Sequence, residues 1–196
     1  GADVDAPQGD GSTALHWASY WDNREIATLL ILAGTDVDAT NDLGVTPLWA
    51  ACENGSPAMV SILLEAGADP DVALPFGETP LMTASRTGSA DAVRALLAHG
   101  ANVTAREASH GQTALMWAVA QRHSAVVLTL LEHGAGIADR STVYPQVISS
   151  SGNADPSGVY DIEQGGYTPL LFAARQGALE SARLLVAAGA DVNDAA

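Results

Sequence analysis

The sequence predicts an all-α solenoid. A unit of helix, turn, helix and hairpin repeats along one domain, with one hairpin expanded into a long loop. Three observations predict it. A Gly-x-Thr triplet recurs at Gly11, Gly44, Gly77, Gly111 and Gly166, with steps of 33, 33, 34 and 55 residues between its threonines. A second glycine, at Gly34, Gly67, Gly100, Gly134 and Gly189, advances by the same four steps. A leucine pair precedes each of these: Leu29-Leu30, Leu63-Leu64, Leu96-Leu97, Leu130-Leu131 and Leu184-Leu185. Regularity at this period marks supersecondary units that cannot bury their apolar faces alone and must stack on their neighbours.

The residues between the markers account for each element in turn. Every triplet threonine suits a helix N-cap, because its hydroxyl can accept an orphan helix N–H. Pro47, Pro80 and Pro169 follow at the first helical position, where a missing N–H costs nothing; Ala14 and Ala114 stand there otherwise. Leu15, Leu48, Leu81, Leu115 or Leu170 comes next, and Ala18, Ala51, Ala84, Ala118 or Ala173 three residues later. That i, i+3 pair is one apolar helix face, and its small alanine admits a neighbouring helix. Gly55, Gly88 and Gly177 supply the left-handed residue that ends the first helix. Asp22-Asn23 and Arg122-His123 replace them in the first and fourth repeats, and the Arg-His pair makes the fourth turn the least favourable of the set. A second helix then runs to the second marker glycine, and a short extended stretch, such as 68–72 or 190–193, reverses the chain.

These markers divide the chain into the tail of a preceding repeat at 1–7, repeats at 8–40, 41–73, 74–107, 108–139 and 163–195, and an inserted loop at 140–162. Both ends fall inside the repeat pattern, so the sequence is expected to be an excerpt or a processed form of something longer.

Composition narrows the function. Hydrophobic residues make up 47% of the 196 positions but aromatics only 5%, so the core must be built from Ala, Leu and Val. No run approaches the ~20 apolar residues of a membrane helix, and no membrane insertion is expected. All eight basic residues are Arg, and the net charge is −15, which repels phosphate backbones and argues against nucleic acid as a partner. The same acidity keeps a repeat protein soluble. The single Cys52 lies on an apolar helix face and reads as a buried structural thiol.

The unit resembles the ankyrin repeat, whose Thr-Pro-Leu-His signature is matched by Thr13-Ala14-Leu15-His16, Thr46-Pro47-Leu48-Trp49, Thr79-Pro80-Leu81-Met82, Thr113-Ala114-Leu115-Met116 and Thr168-Pro169-Leu170-Leu171. The histidine survives once in five, at His16, where it would bridge neighbouring repeats. The resemblance implies a protein–protein interaction module that binds through a concave groove of hairpin tips and first-helix faces. Carried over position by position, it nominates Asp10, Ser12, His16, Tyr20 and Trp21 in the first repeat, and Leu43, Val45, Trp49, Glu53 and Asn54 in the second. The third gives Phe76, Glu78, Met82, Arg86 and Thr87, the fourth His110, Gln112, Met116 and Gln121, and the fifth Tyr167, Leu171, Arg175 and Gln176. Trp49, Tyr20 and Trp21 are assigned to the binding face, since exposed Trp and Tyr bury large area at small entropic cost. Trp17 and Trp117, one position further round the helix, are expected to pack between helices. Phe76 stands at a hairpin tip, where contact and idleness are equally open.

The insertion is too rich in Ser, Gly, Asp and Pro for helix. Tyr144, Val147, Ile148, Tyr160 and Ile162 give it more apolar content than a linker needs, and 144–148 reads as extended. Either it folds onto the groove or grips a ligand, with Tyr144 and Tyr160 among its contacts, or it is a flexible, neutral expansion.

No catalytic constellation emerges, and no enzyme activity, cofactor or metal is expected. The histidines are scattered in different registers, and no His-Glu-x-x-His, paired Cys, Gly-x-Ser-x-Gly or P-loop occurs. His99 and His133 precede the glycines that close second helices, where His favours the negative end of the helix dipole. Paired acids such as Asp69 and Asp71 satisfy turn backbone. The leading expectation is a monomeric module that binds a protein partner, with end-to-end association open. The alternatives are a regulatory or targeting segment of a larger enzyme, and a small-molecule-binding solenoid. Unequal repeats argue for a natural rather than a designed chain. Arg-only basicity with heavy Ala, Gly, Val and Asp usage suggests a GC-rich, bacterial genome, and the wording Ala114-Leu115-Met116-Trp117-Ala118 resembles bacterial ankyrin proteins, so a bacterial cytoplasm or periplasm is expected.

Overall fold

A computed structural model of the chain describes residues 3–149 and 159–194. Its helices form five pairs: α1 (Ala14–Tyr20) with α2 (Arg24–Leu32), α3 (Pro47–Glu53) with α4 (Pro57–Glu65), α5 (Pro80–Thr87) with α6 (Ala90–Ala98), α7 (Ala114–Ala120) with α8 (Ser124–Glu132), and α9 (Pro169–Gln176) with α10 (Leu179–Ala187). Between α8 and α9 lie strands β1 (Tyr144–Ser149) and β2 (Val159–Gln164). First helices stack on first helices and second on second, giving two helical layers along one axis.

The caps act as the sequence requires. Thr46, Thr79, Thr113 and Thr168 accept backbone N–H groups from Trp49, Met82, Met116 and Leu171. At Thr13 the ring of His16 takes part instead, accepting the Thr13 N–H on Nδ1 at 3.1 Å. Its Nε2 donates to the Val45 carbonyl of the next repeat at 2.8 Å, since a carbonyl can only accept. The core is one continuous stripe. Leu15, Leu48, Leu81 and Leu115 of the first helices and Leu63, Leu96, Leu130 and Leu185 of the second are fully buried, with Ala18, Ala51, Ala84, Ala118 and Ala173 between them. Losing one such leucine costs about 2–5 kcal/mol.

Gly55, Gly88 and Gly177 all take positive φ after a first helix. So do Asp22 and Arg122, at φ 50 and 64. The fourth turn, expected to be the least favourable, therefore forms with a strained arginine, and its neighbours hold it there. The Arg122 guanidinium donates to the Gln176 carbonyl, and His123 Nε2 donates to the Arg86 carbonyl at 3.0 Å. The His123 ring lies so close to Gly88 that an added Cβ would meet it at 2.7 Å.

Acids join the hairpins of successive repeats. Asp5 accepts the Asp36 N–H, Asp38 the Asp69 N–H at 3.0 Å, and Asp71 the Asn102 N–H at 2.9 Å. Asp69 also accepts the Asp71 N–H at 2.9 Å, the turn role that the sequence predicts. Burial raises the pKa of Asp38, and the carboxylates of Asp69 and Asp36 add to this against the Asp69 N–H bond.

The insertion pairs on itself. β1 and β2 are antiparallel, in register from Tyr144 opposite Gln164 to Ser149 opposite Val159. Its base is fastened by Ser141 N–H to the Tyr167 carbonyl, Gly166 N–H to the Ser141 carbonyl, and Arg140 to the Gly166 carbonyl and Asp194. Gly165, at φ 112, has no room for a side chain: a Cβ would sit 1.9 Å from the Thr142 carbonyl oxygen. The side chains of Val147, Ile148, Tyr160 and Ile162 lie outside the described residues.

Three substitutions test these contacts. Gly177→Ala, with open space at the Cβ, should cost about 1 kcal/mol, the left-handed penalty alone. Gly88→Ala must also displace His123 and break its bond to Arg86, adding about 1 kcal/mol; urea midpoints of the two variants should differ accordingly. Asp38→Asn keeps an acceptor for the Asp69 N–H but removes the opposed charge. A raised folded-state pKa means that ionised Asp38 opposes folding above that pKa and no longer does so once both states are protonated. Asp38→Asn should therefore raise the thermal midpoint at pH 7, and the gain should vanish below the ordinary carboxylate range.

Candidate functional site

The concave surface is built from the hairpin tips and first helices. Adjacent tips are laced by backbone rungs: Asp42 N–H to the Asp10 carbonyl at 3.0 Å, Ala108 to Phe76 at 2.7 Å, and Thr142 to His110 at 2.6 Å. Pro75 holds the donor position opposite Leu43 and has no N–H, so that rung cannot form. Each tip is also held from within. Asn41 Oδ1 accepts from Leu43 and Val45, both at 3.0 Å. The buried carboxylate of Glu107 accepts from Ser109, His110 and Gln112. Asp10 accepts the Ser12 N–H and hydroxyl; the backbone bond is the larger cause of a pKa held below the ordinary carboxylate value.

Along the helices, Arg86 pairs with Glu53 across a repeat junction and lies 3.8 Å from Glu78, whose other role is to accept the Thr83 hydroxyl at 2.9 Å. Arg175 sits over the Tyr167 ring, 5.4 Å from its centroid, and Tyr167 meets Phe172 edge-on at 5.7 Å. The insertion touches the groove at Tyr144, edge-on to His110 with centroids 5.5 Å apart.

Two open clefts adjoin over Trp117. One, of ≈ 280 Å³, is lined by Phe76, Glu78, Glu107, His110 and Gln112; the other, of ≈ 180 Å³, by Arg86, Gln112, Ala120 and Gln121. A third, of ≈ 440 Å³, lies at the first repeat against Trp17, Tyr20, Trp21 and His16.

Of the residues nominated from sequence, Asp10, Tyr20, Trp21, Leu43, Phe76, His110, Gln121, Tyr144 and Arg175 are exposed. Val45, Trp49, Glu53, Glu78, Arg86, Gln112 and Tyr167 are half-buried. Ser12 is buried, with its hydroxyl engaged by Asp10 and Asn41. His16, Met82 and Met116 are buried as well. Their position in the first turn points at the next repeat, as the His16 bond to Val45 shows, so it serves the junction rather than the groove. Of the two tryptophans expected to pack between helices, Trp117 packs against the core and also lines both central clefts, whereas Trp17 departs from expectation: it is exposed, edge-on to Tyr20, which is itself edge-on to Trp21. Glu107 escaped the sequence reading, although an acid three residues before a tip is a signal for capture of tip N–H groups.

Burial pushes the Cys52 thiol up, and the charge of Glu53 adds to this, so no thiolate forms near neutral pH. His99 and His133 each bond a carbonyl of their own helix, Ala95 at 2.9 Å and Thr129 at 2.8 Å. Among the described residues, no group of three or more His, Cys, Asp or Glu is placed to hold a metal ion, and no helix is long and apolar enough to cross a membrane.

The family model described as Ankyrin repeats (3 copies) matches residues 1–74 and 67–141, and the one described as Ankyrin repeat matches residues 165–196. No curated protein matches the chain.

Glu107→Ala should leave three tip N–H groups without their acceptor and cost about 2–3 kcal/mol in chemical denaturation. Glu107→Gln, which keeps one carbonyl acceptor, should cost less; amide exchange at Ser109, His110 and Gln112 should speed up in both.

Proposed function

The chain belongs to the ankyrin-repeat family, and from that premise we propose that it binds a protein partner along its concave groove, through tips, first-helix faces and the base of the inserted hairpin. Ankyrin repeats are generally protein–protein interaction modules. The observation that carries the proposal to a particular surface is the pair of open clefts meeting over Trp117. An exposed aromatic, Phe76, stands at one margin, and polar groups of both charges surround the floor. Such a furrow suits an extended segment or loop, which buries an apolar anchor and satisfies hydrogen bonds along its length. A small molecule would instead require a more enclosing site.

The partner surface then comprises chiefly Phe76, Glu78, Arg86, Gln112, Gln121 and Tyr144, on a single domain of five repeats with 140–162 inserted. The role is non-catalytic, and the net charge of −15 disfavours nucleic acid.

The test compares the intact chain with Phe76→Ala/Gln121→Ala and with Arg94→Ala on the outer helical layer. A partner retained from lysate should bind the double variant at least about tenfold more weakly, a difference of about 1.4 kcal/mol, and the Arg94 variant equally well. Equal binding to all three would move the partner off the groove.

A further inference from the structure

Aromatic rings gather on the concave side of α1. Tyr20 meets Trp17 edge-on, with centroids 6.0 Å apart and planes at 80°, and meets Trp21 at 5.0 Å and 87°. The rings line a cleft of ≈ 440 Å³ whose other wall comes from the second repeat, at Asn41, Val45 and Ala50. All three rings occupy groove registers. Trp17 corresponds to Trp117, Tyr20 to Arg86 and Ala120, and Trp21 to Gln121, and these four line the central clefts. Asn54 and Gln121, in repeats packed on both sides, are exposed as Trp21 is.

The polar groups of this cleft are mostly engaged with one another. Asn41 Oδ1 accepts from Leu43 and Val45, and its Nδ2 donates to Ser12 Oγ at 3.3 Å. The Ser12 hydroxyl donates to Asp10 at 3.1 Å. His16 accepts the Thr13 N–H on Nδ1 and donates from Nε2 to the Val45 carbonyl. What they leave for a ligand is chiefly aromatic surface and one negative charge, on Asp10, whose charged form the Ser12 N–H and hydroxyl favour. No arginine is among the lining residues.

The faces of Trp and Tyr rings attract cations. The fifth repeat already holds such a contact: Arg175, in the register of Tyr20, lies over Tyr167, in the register of Ser12. There the chain supplies its own cation; in the first repeat it supplies rings and a carboxylate. An anion would meet the Asp10 charge, and a neutral apolar group would cover that charge without offsetting it. An ammonium or guanidinium group would need acceptors for several N–H groups, which the engaged lining does not offer. A fully methylated ammonium carries the positive charge and has no N–H to satisfy.

We propose that the cleft between the first two repeats binds a quaternary ammonium group, its methyls against Trp17, Tyr20 and Trp21 and its charge offset by Asp10. The central clefts over Trp117 take no part, so failure here would leave partner binding there untouched, and the reverse also holds.

The indole N–H signals of the isotope-labelled chain, followed by NMR during titration with choline, test this. Choline should shift the Trp17 and Trp21 signals saturably in the millimolar range. Its neutral isostere, with tert-butyl in place of trimethylammonium, should bind at least about tenfold more weakly, because the attraction to the ring faces is lost. Trp21→Ala, which removes an exposed ring, should weaken choline about tenfold when read at Trp17, and Arg94→Ala should bind as the parent does. Asp10→Asn keeps an acceptor for the Ser12 N–H and should weaken choline by a smaller factor; it serves as the second variant if far-UV circular dichroism shows that Trp21→Ala does not fold. Blocked trimethyllysine amide should also bind, and the unmethylated lysine amide much less. Tighter binding of the trimethyllysine amide than of choline would assign the group to a modified partner segment, and the reverse to a free small molecule. Absence of saturable shifts, equal binding of the isostere or of unmethylated lysine, or undiminished binding by a folded Trp21→Ala would each overturn the proposal.

Discussion

Everything in this molecule depends on the stacking of one helix pair on the next. A pair of helices of seven to nine residues is too short to stand alone in water and too thin to enclose its own leucines. Leu48 and Leu81 are fully buried in a core shared by the stacked pairs. The polar groups follow the same rule. His16 reaches Val45, Asp38 reaches Asp69, Arg86 reaches Glu53 and His123 reaches Arg86, each across a junction. Stability in such an array is close to a sum of unit and interface contributions, so the quality of each junction matters more than that of any one helix.

That constraint also explains where recognition can reside. Positions that face a neighbour are committed to the stack, and the surface left over includes the outer layer and the concave face. The concave face combines rigid tips, tied by backbone rungs and side-chain acceptors, with side chains that vary from repeat to repeat. Arg86, Ala120 and Arg175 occupy one register, as do Phe76 and His110 at the tips. These places lie outside the apolar core, and their variation gives a groove with a particular pattern of charge and aromatic rings.

The insertion follows the same logic. Its 55-residue step would break the stack if it fell within a helix. It falls instead at a hairpin, where β1 and β2 pair on themselves and return the chain to Gly166 in register. Gly165 allows the close crossing at Thr142, and Arg140 spans the base. The fifth pair then packs on the fourth as if the extra residues were absent. The added hairpin begins beside the groove, at the Tyr144 contact with His110.

Period, caps and helix faces were legible in the sequence because they are local: a Thr-Pro-Leu run sets an N-cap, a first turn and an apolar position without help from distant residues. The left-handed turns at Gly55, Gly88 and Gly177 were legible for the same reason. The candidate surface was legible only in outline. Its register followed from the repeat, but which members of that register stay exposed depends on the neighbouring unit. Met82 and Met116 vanish into junctions, Trp117 packs on the core and floors two clefts, and Trp17 and Trp21 stay exposed beside a third. Arg122 holds a strained turn because Gln176, 54 residues away, accepts its guanidinium. The sequence alone determined the repeating unit and the elements within it, since backbone propensity and apolar spacing act within a few residues. Tertiary structure alone decided what each side chain faces, because burial and hydrogen bonding at a junction depend on the repeat packed against it.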